Sequence, residues 1–137
     1  MDKIVIADTS GIIAFLDRDD RYYSLAVNIV TNYQIYIHVT VLPEVDYLAT
    51  KYLGERVARS FIEDLGDEYL NYLTIELEDI NKITKLMEQY KDLPLGFIDA
   101  SLVILAEHHQ IKRILTLDRR HFNLIQSEKV KDLEILP

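Results

Sequence analysis

Residues 3–11 read Lys3-Ile4-Val5-Ile6-Ala7-Asp8-Thr9-Ser10-Gly11. Behind Lys3, the short apolar and largely β-branched run has the pattern of a strand buried on both faces. Asp8-Thr9-Ser10-Gly11 breaks that run with cap-forming and turn residues, and Ile12-Ile13-Ala14-Phe15-Leu16 continues as a helix. A buried strand passing directly into a helix is the opening of an α/β unit.

The same alternation extends outward from this start. Tyr22 to Asn32 carries Leu25, Ala26, Ile29 and Val30 as a helical stripe, and Ile35-Tyr36-Ile37-His38-Val39 reads as a second strand. Leu42-Pro43-Glu44-Val45 opens a helix with proline early, where its missing N–H costs nothing; Gly54 ends it after Leu53. A helix over Arg56 to Leu65 and a strand at Tyr72-Leu73-Thr74-Ile75 come next. Asp79 to Tyr90 and Leu95 to His109 both show apolar residues at helical spacing. Arg113-Ile114-Leu115-Thr116-Leu117 is expected as a strand, and Leu133-Glu134-Ile135-Leu136 as an edge strand. Short apolar strands alternating with amphipathic helices predict an α/β fold, with a parallel sheet covered by helices on both faces. Ligands in such folds bind beyond the carboxyl ends of the strands, where strand order reverses.

The 137 residues suit one domain spanning residues 1–137, with no linker, fixed-period repeat or low-complexity stretch. There are no cysteines, which excludes disulfides and thiolate zinc sites. No apolar run approaches the ~20 residues that span a bilayer, and the start lacks signal-peptide character, so the expectation is a soluble cytoplasmic protein. The net charge of −8, from 23 acids against 15 bases, sits awkwardly with phosphate binding. Either the chain does not meet nucleic acid, or a locally basic rim surrounds acids neutralised by metal.

Four acids fall at informative positions. Asp8 and Asp118 each follow a strand, where sites collect in open α/β sheets; Asp8 reads equally as a helix cap and Asp118 as a turn residue. Glu44 lies in the first turn of a helix, where an acid also simply favours the dipole. Asp99 sits between Phe97-Ile98 and Ala100-Ser101-Leu102-Val103, an apolar setting in which a carboxylate is costly unless paired or ligating a cation. Together they form an oxygen-only donor set suited to a hard divalent ion, which would relieve their mutual repulsion.

These motifs resemble those of PIN-domain nucleases of the VapC-like toxin group. The matching stretches are strand-Asp8-Thr9-Ser10, Leu42-Pro43-Glu44-Val45 with Tyr47-Leu48, Gly96-Phe97-Ile98-Asp99-Ala100, and Leu115-Thr116-Leu117-Asp118-Arg119-Arg120-His121-Phe122. The resemblance covers essentially the whole chain. It implies an α/β/α sandwich whose pocket is built by Asp8, Glu44, Asp99 and Asp118, holding one or two Mg2+ or Mn2+ ions. It further implies hydrolysis of RNA phosphodiester bonds by metal-activated water, a homodimer, and an antitoxin partner that places a peptide in the active-site groove. Thr9, Ser10 and Thr116 match polar positions flanking the acids and are assigned to orienting carboxylates, beside the plainer reading of capping or strand propensity.

Arg119 and Arg120 are candidates to grip substrate phosphate, or else belong to a solvated loop. His108 and His109 end a helix, where they suit the dipole, and neighbouring residues on a helix do not face one metal. His38 is expected to be structural. The nine tyrosines read mainly as packing residues with surface hydroxyls, some of them at a protein interface. Receiver domains and haloacid-dehalogenase-type phosphatases fail at specific positions, the latter because Ser10 stands where a second Asp is needed; no Gly-rich phosphate loop is present. The remaining alternatives are a PIN nuclease of RNA processing outside toxin–antitoxin systems, and a catalytically silent PIN binding module.

Overall fold

In the computed structural model, which describes residues 3–93, 95–125 and 133–137 apart from the side chains of residues 120 and 121, the opening apolar run forms strand β1 (Ile4–Ala7). It passes through Asp8 into helices α1 (Thr9–Leu16) and α2 (Tyr23–Asn32). Strand β2 (Gln34–His38) and a single 3₁₀ turn, Val39–Val41, lead to the helices α3 (Leu42–Leu53) and α4 (Glu55–Gly66). Gly54 joins these two helices at φ 102°, a backbone region that glycine occupies without a Cβ clash. Strand β3 (Asn71–Leu73), helices α5 (Leu77–Gln89) and α6 (Phe97–His108), strand β4 (Arg113–Leu115), helix α7 (Arg119–Leu124) and strand β5 (Glu134–Leu136) follow.

The strands form one sheet in the order β3-β2-β1-β4-β5, and every neighbouring pair is parallel. The chain builds outward from β1 to one side through β2 and β3, then returns to build the other side through β4 and β5. Strand order therefore reverses between β1 and β4. Alternation along β1 serves both faces: Ile6 joins the core formed by α5, α6 and α7, while Val5 and Ala7 join the core of α1 to α4. All three are fully buried, which is why the run is continuously apolar rather than alternating. The result is an α/β/α sandwich, parallel throughout its described strands rather than mainly so.

The structure departs from the sequence expectation at several element ends. Strand β3 begins at Asn71, whose amide donates to the Ile35 carbonyl at 3.3 Å, and it stops before Thr74 and Ile75. Helix α5 starts two residues before Asp79, with a reciprocal capping box between Glu76 and Asp79. Leu117 and Asp118 lead directly into α7. The side chain of Asp79, wholly buried, accepts the Glu76 N–H at 3.0 Å and pairs with His108 Nδ1 at 2.9 Å. That pairing ties the first turn of α5 to the last turn of α6.

Candidate active site

Asp8 directly follows β1 and caps α1, so the capping read from the sequence is present at a strand's carboxyl end. Its Oδ1 accepts the Gly11 N–H at 2.8 Å and the Ser10 hydroxyl at 2.8 Å. Its Oδ2 accepts the Thr116 hydroxyl, reaching across from the end of β4. An ionised carboxylate offers about four lone-pair positions, and these three donors leave one of them, on Oδ2, for another partner. Gly11 permits this arrangement because α1 passes close over β4: a Cβ at that position would lie 2.3 Å from the Leu115 carbonyl oxygen.

Ser10 and Thr116 do more than donate to Asp8. The Ser10 hydroxyl oxygen accepts the Leu117 N–H at 2.9 Å, and the Thr116 hydroxyl oxygen accepts the Asp118 N–H at 2.9 Å. The two hydroxyls lie 3.3 Å apart. They stitch the loop after β1 to the loop after β4, fixing where Asp118 leaves the sheet. Thr9 differs from both. Its hydroxyl is buried and has no hydrogen-bond partner among the described residues.

Glu44 stands exposed in the first turn of α3, Asp99 half-buried in the first turn of α6, and Asp118 exposed just before α7. All four acids line one cleft of about 440 Å³, together with Thr9, Ser10 and Leu117. The cleft opens where β1 and β4 end, at the reversal of strand order. Helices α1, α3 and α6 all direct their N-terminal ends toward it, and the positive ends of their dipoles offset part of the accumulated negative charge. Burial raises the Asp8 pKa above the ordinary carboxylate value; the three hydrogen bonds pull it back, and the nearby charge of Asp99 pushes it up again.

Four further residues line the cleft, Ile13, Asp20, Leu48 and Tyr52, none of them named as a site residue from the sequence. Asp20, in the loop between α1 and α2, accepts the Tyr22 N–H at 2.8 Å and adds a fifth acid. Leu48 and Tyr52 continue the face of α3 that begins at Glu44. Their spacing of four residues was the available clue, since such residues share one helix face. Of the two candidate arginines, Arg119 is exposed and its guanidinium donates to the Pro137 carbonyl. The Arg120 side chain lies outside the described residues.

A larger groove of about 620 Å³ lies elsewhere, lined by Tyr72 to Thr74, Glu76 to Glu78, His108 and His109, and shares no residue with the acidic cleft. Glu78, Asp79 and His108 come close enough there to resemble a metal centre. Both Asp79 oxygens are already engaged, by the Glu76 N–H and by His108. We read the group as the α5–α6 tie.

A family model described as the PIN domain matches residues 5–126. The chain belongs to the PIN-domain family. Among curated proteins, Ribonuclease VapC26 of Mycobacterium tuberculosis is 26% identical over 124 residues, covering 89% of this chain and 92% of the relative. Among solved structures, Mycobacterium tuberculosis VapC20, described as a toxin cleaving the sarcin–ricin loop, superposes with a TM-score of 0.79 at 15% identity, covering 87% of this chain and 93% of its own. A toxin–antitoxin complex from Klebsiella pneumoniae has a TM-score of 0.68 at 20% identity, covering 97% and 96%. These similarities span nearly the whole PIN domain, so the acidic cleft sits inside the matched region rather than on an appendage.

Proposed function

We propose that the chain is a divalent-metal-dependent endoribonuclease that hydrolyses RNA phosphodiester bonds, acting as the toxin of a toxin–antitoxin pair. The observation carrying this reading is the convergence of Asp8, Glu44, Asp99 and Asp118 on one cleft from four separate stretches of chain. Membership of the PIN family and the relative named as a ribonuclease point the same way.

The donor set fits Mg2+ or Mn2+. It offers carboxylate oxygens only, and three of the roughly four lone-pair positions of Asp8 are held by protein donors, leaving one on Oδ2. Asp8, Glu44, Asp99 and Asp118 would hold the ion. When bound, the ion supplies a water of lowered pKa and neutralises the scissile phosphate. Ser10 and Thr116 keep Asp8 from rotating away, as partners behind a metal ligand commonly do. No histidine lines the cleft among the described residues.

The partner expected from the family is an antitoxin, and the neighbours include toxin–antitoxin complexes; a homodimer is expected on the same ground. No helix among the described residues is long and apolar enough to cross a membrane.

The test compares the wild type with Asp8→Asn on structured RNA, with Mn2+ and with chelator. The sarcin–ricin loop is the first RNA to try. Cleavage by the wild type with metal alone, leaving 5′-phosphate ends, is the expected result. Equal cleavage by both proteins, or activity that survives chelation, overturns the mechanism.

A further inference from the structure

The acidic cleft explains where a phosphodiester would be cut but not what grips the strand on either side of it. The net charge of −8 makes that question acute. Helix α3 supplies an answer. Glu44, Leu48 and Tyr52 recur every four residues and all line the cleft, so one face of α3 runs from the acids outward to an aromatic ring. At 1.5 Å per residue, Tyr52 stands about 12 Å along the helix from Glu44. That is beyond reach of the phosphate being cut and within reach of a neighbouring nucleotide.

Tyr52 is 69% exposed, an unusual position for a large ring at the mouth of a cleft, and Tyr47 on the same helix is 61% exposed. Between them in space lies Lys51, whose ammonium sits 5.2 Å from the Tyr52 ring centroid and 5.7 Å from that of Tyr47. A lysine beside two largely exposed aromatic rings is the combination that single-stranded nucleic acid favours, with a base stacked on a ring and a backbone phosphate on the cation.

We propose that Tyr52 is a base-stacking platform for single-stranded RNA and that Lys51 holds the adjoining backbone phosphate, so that this end of α3 positions the strand over the acids. The proposal rests on the ribonuclease reading of the cleft for its choice of occupant. Tyr52 is a positioning residue here: it touches a base away from the scissile bond and takes no part in the chemistry.

The experiment measures binding separately from cleavage. Fluorescence anisotropy of a labelled single-stranded RNA oligonucleotide in chelator gives affinity for the wild type, Tyr52→Ala and Tyr52→Phe. Stacking of one base predicts a loss of roughly 5- to 150-fold for Tyr52→Ala, with Tyr52→Phe close to the wild type. With Mn2+, Tyr52→Ala should raise KM for RNA while hydrolysis of a small nitrophenyl phosphodiester stays unchanged. An oligonucleotide with an abasic position walked along it should lose affinity for the wild type at one position, and Tyr52→Ala should feel no further loss there. Lys51→Ala should flatten the salt dependence of binding.

Unchanged RNA affinity in Tyr52→Ala overturns the proposal, and so does an equal loss on the small ester, which marks a merely structural role. The two readings separate cleanly. Tyr52-dependent RNA binding without metal-dependent cleavage sustains the platform and sinks the ribonuclease; cleavage indifferent to Tyr52 does the reverse.

Discussion

Acidification should weaken this fold by an amount set largely by one imidazole. His38 closes β2 and is wholly buried. Its Nδ1 lies 2.7 Å from the Thr40 hydroxyl, and its Nε2 has no hydrogen-bond partner among the described residues. Burial penalises the charged ring and lowers its pKa from 6.5 to about 4. Between those values the unfolded chain takes up a proton that the folded chain refuses. Stability is therefore full above pH 6.5 and declines as the pH falls toward 4. Linkage over this gap removes about 2 kcal/mol by pH 5 and about 3 kcal/mol by pH 4, from a total of roughly 5–15 kcal/mol for an ordinary domain. His38→Leu replaces the ring with an apolar side chain of similar size and has no such contribution. Urea unfolding followed by circular dichroism from pH 7.5 to 4 should show the wild type losing stability more steeply than the variant, by that difference. Curves that stay parallel over the whole range, or an NMR titration placing His38 near 6.5, would refute the reasoning.

Thr116→Val should leave the fold intact but free the Asp8 carboxylate, lowering RNA cleavage roughly 10- to 100-fold. Because the Thr116 bond lowers the Asp8 pKa and an ionised carboxylate is needed to hold a cation, the rising limb of the pH–rate profile should move to higher pH in this variant. Gly11→Ala drives a methyl group into the Leu115 carbonyl; a destabilisation of about 1–3 kcal/mol or more in urea, with loss of cleavage, is expected. Asp79→Ala removes the α5–α6 tie and the cap of α5, and should cost about 1–3 kcal/mol of stability while kcat/KM per folded molecule stays near wild type.

The legible parts of this molecule were those where one physical rule acted alone. Strand β1 was readable because burial on both faces demands an unbroken apolar run, and α3 because Pro43 and Gly54 mark its two ends. Legibility failed where polar bonding overrode the apolar pattern. Ile114-Leu115-Thr116-Leu117 keeps the composition of a strand, yet Thr116 turns its hydroxyl to Asp8 and the Asp118 N–H, and the strand stops at Leu115. Asn71 opens β3 through an amide contact that no hydropathy pattern reveals. At the cleft, the four acids stood out by their positions at strand and helix ends. Asp20 and Tyr52 did not, because a loop aspartate and a helical tyrosine look the same from the sequence whether they face solvent or a cleft.

The reversal of strand order at β1 has a consequence in time as well as in space. Asp8 and the threonine that steadies it stand 108 residues apart along the chain. A chain that has assembled β1, β2 and the helices over one face but has not yet docked β4 holds Asp8 and Glu44 without Asp118 or the hydroxyl that orients Asp8. The acidic cleft is therefore complete only once the two halves of the sheet have met, and a half-folded molecule lacks it altogether.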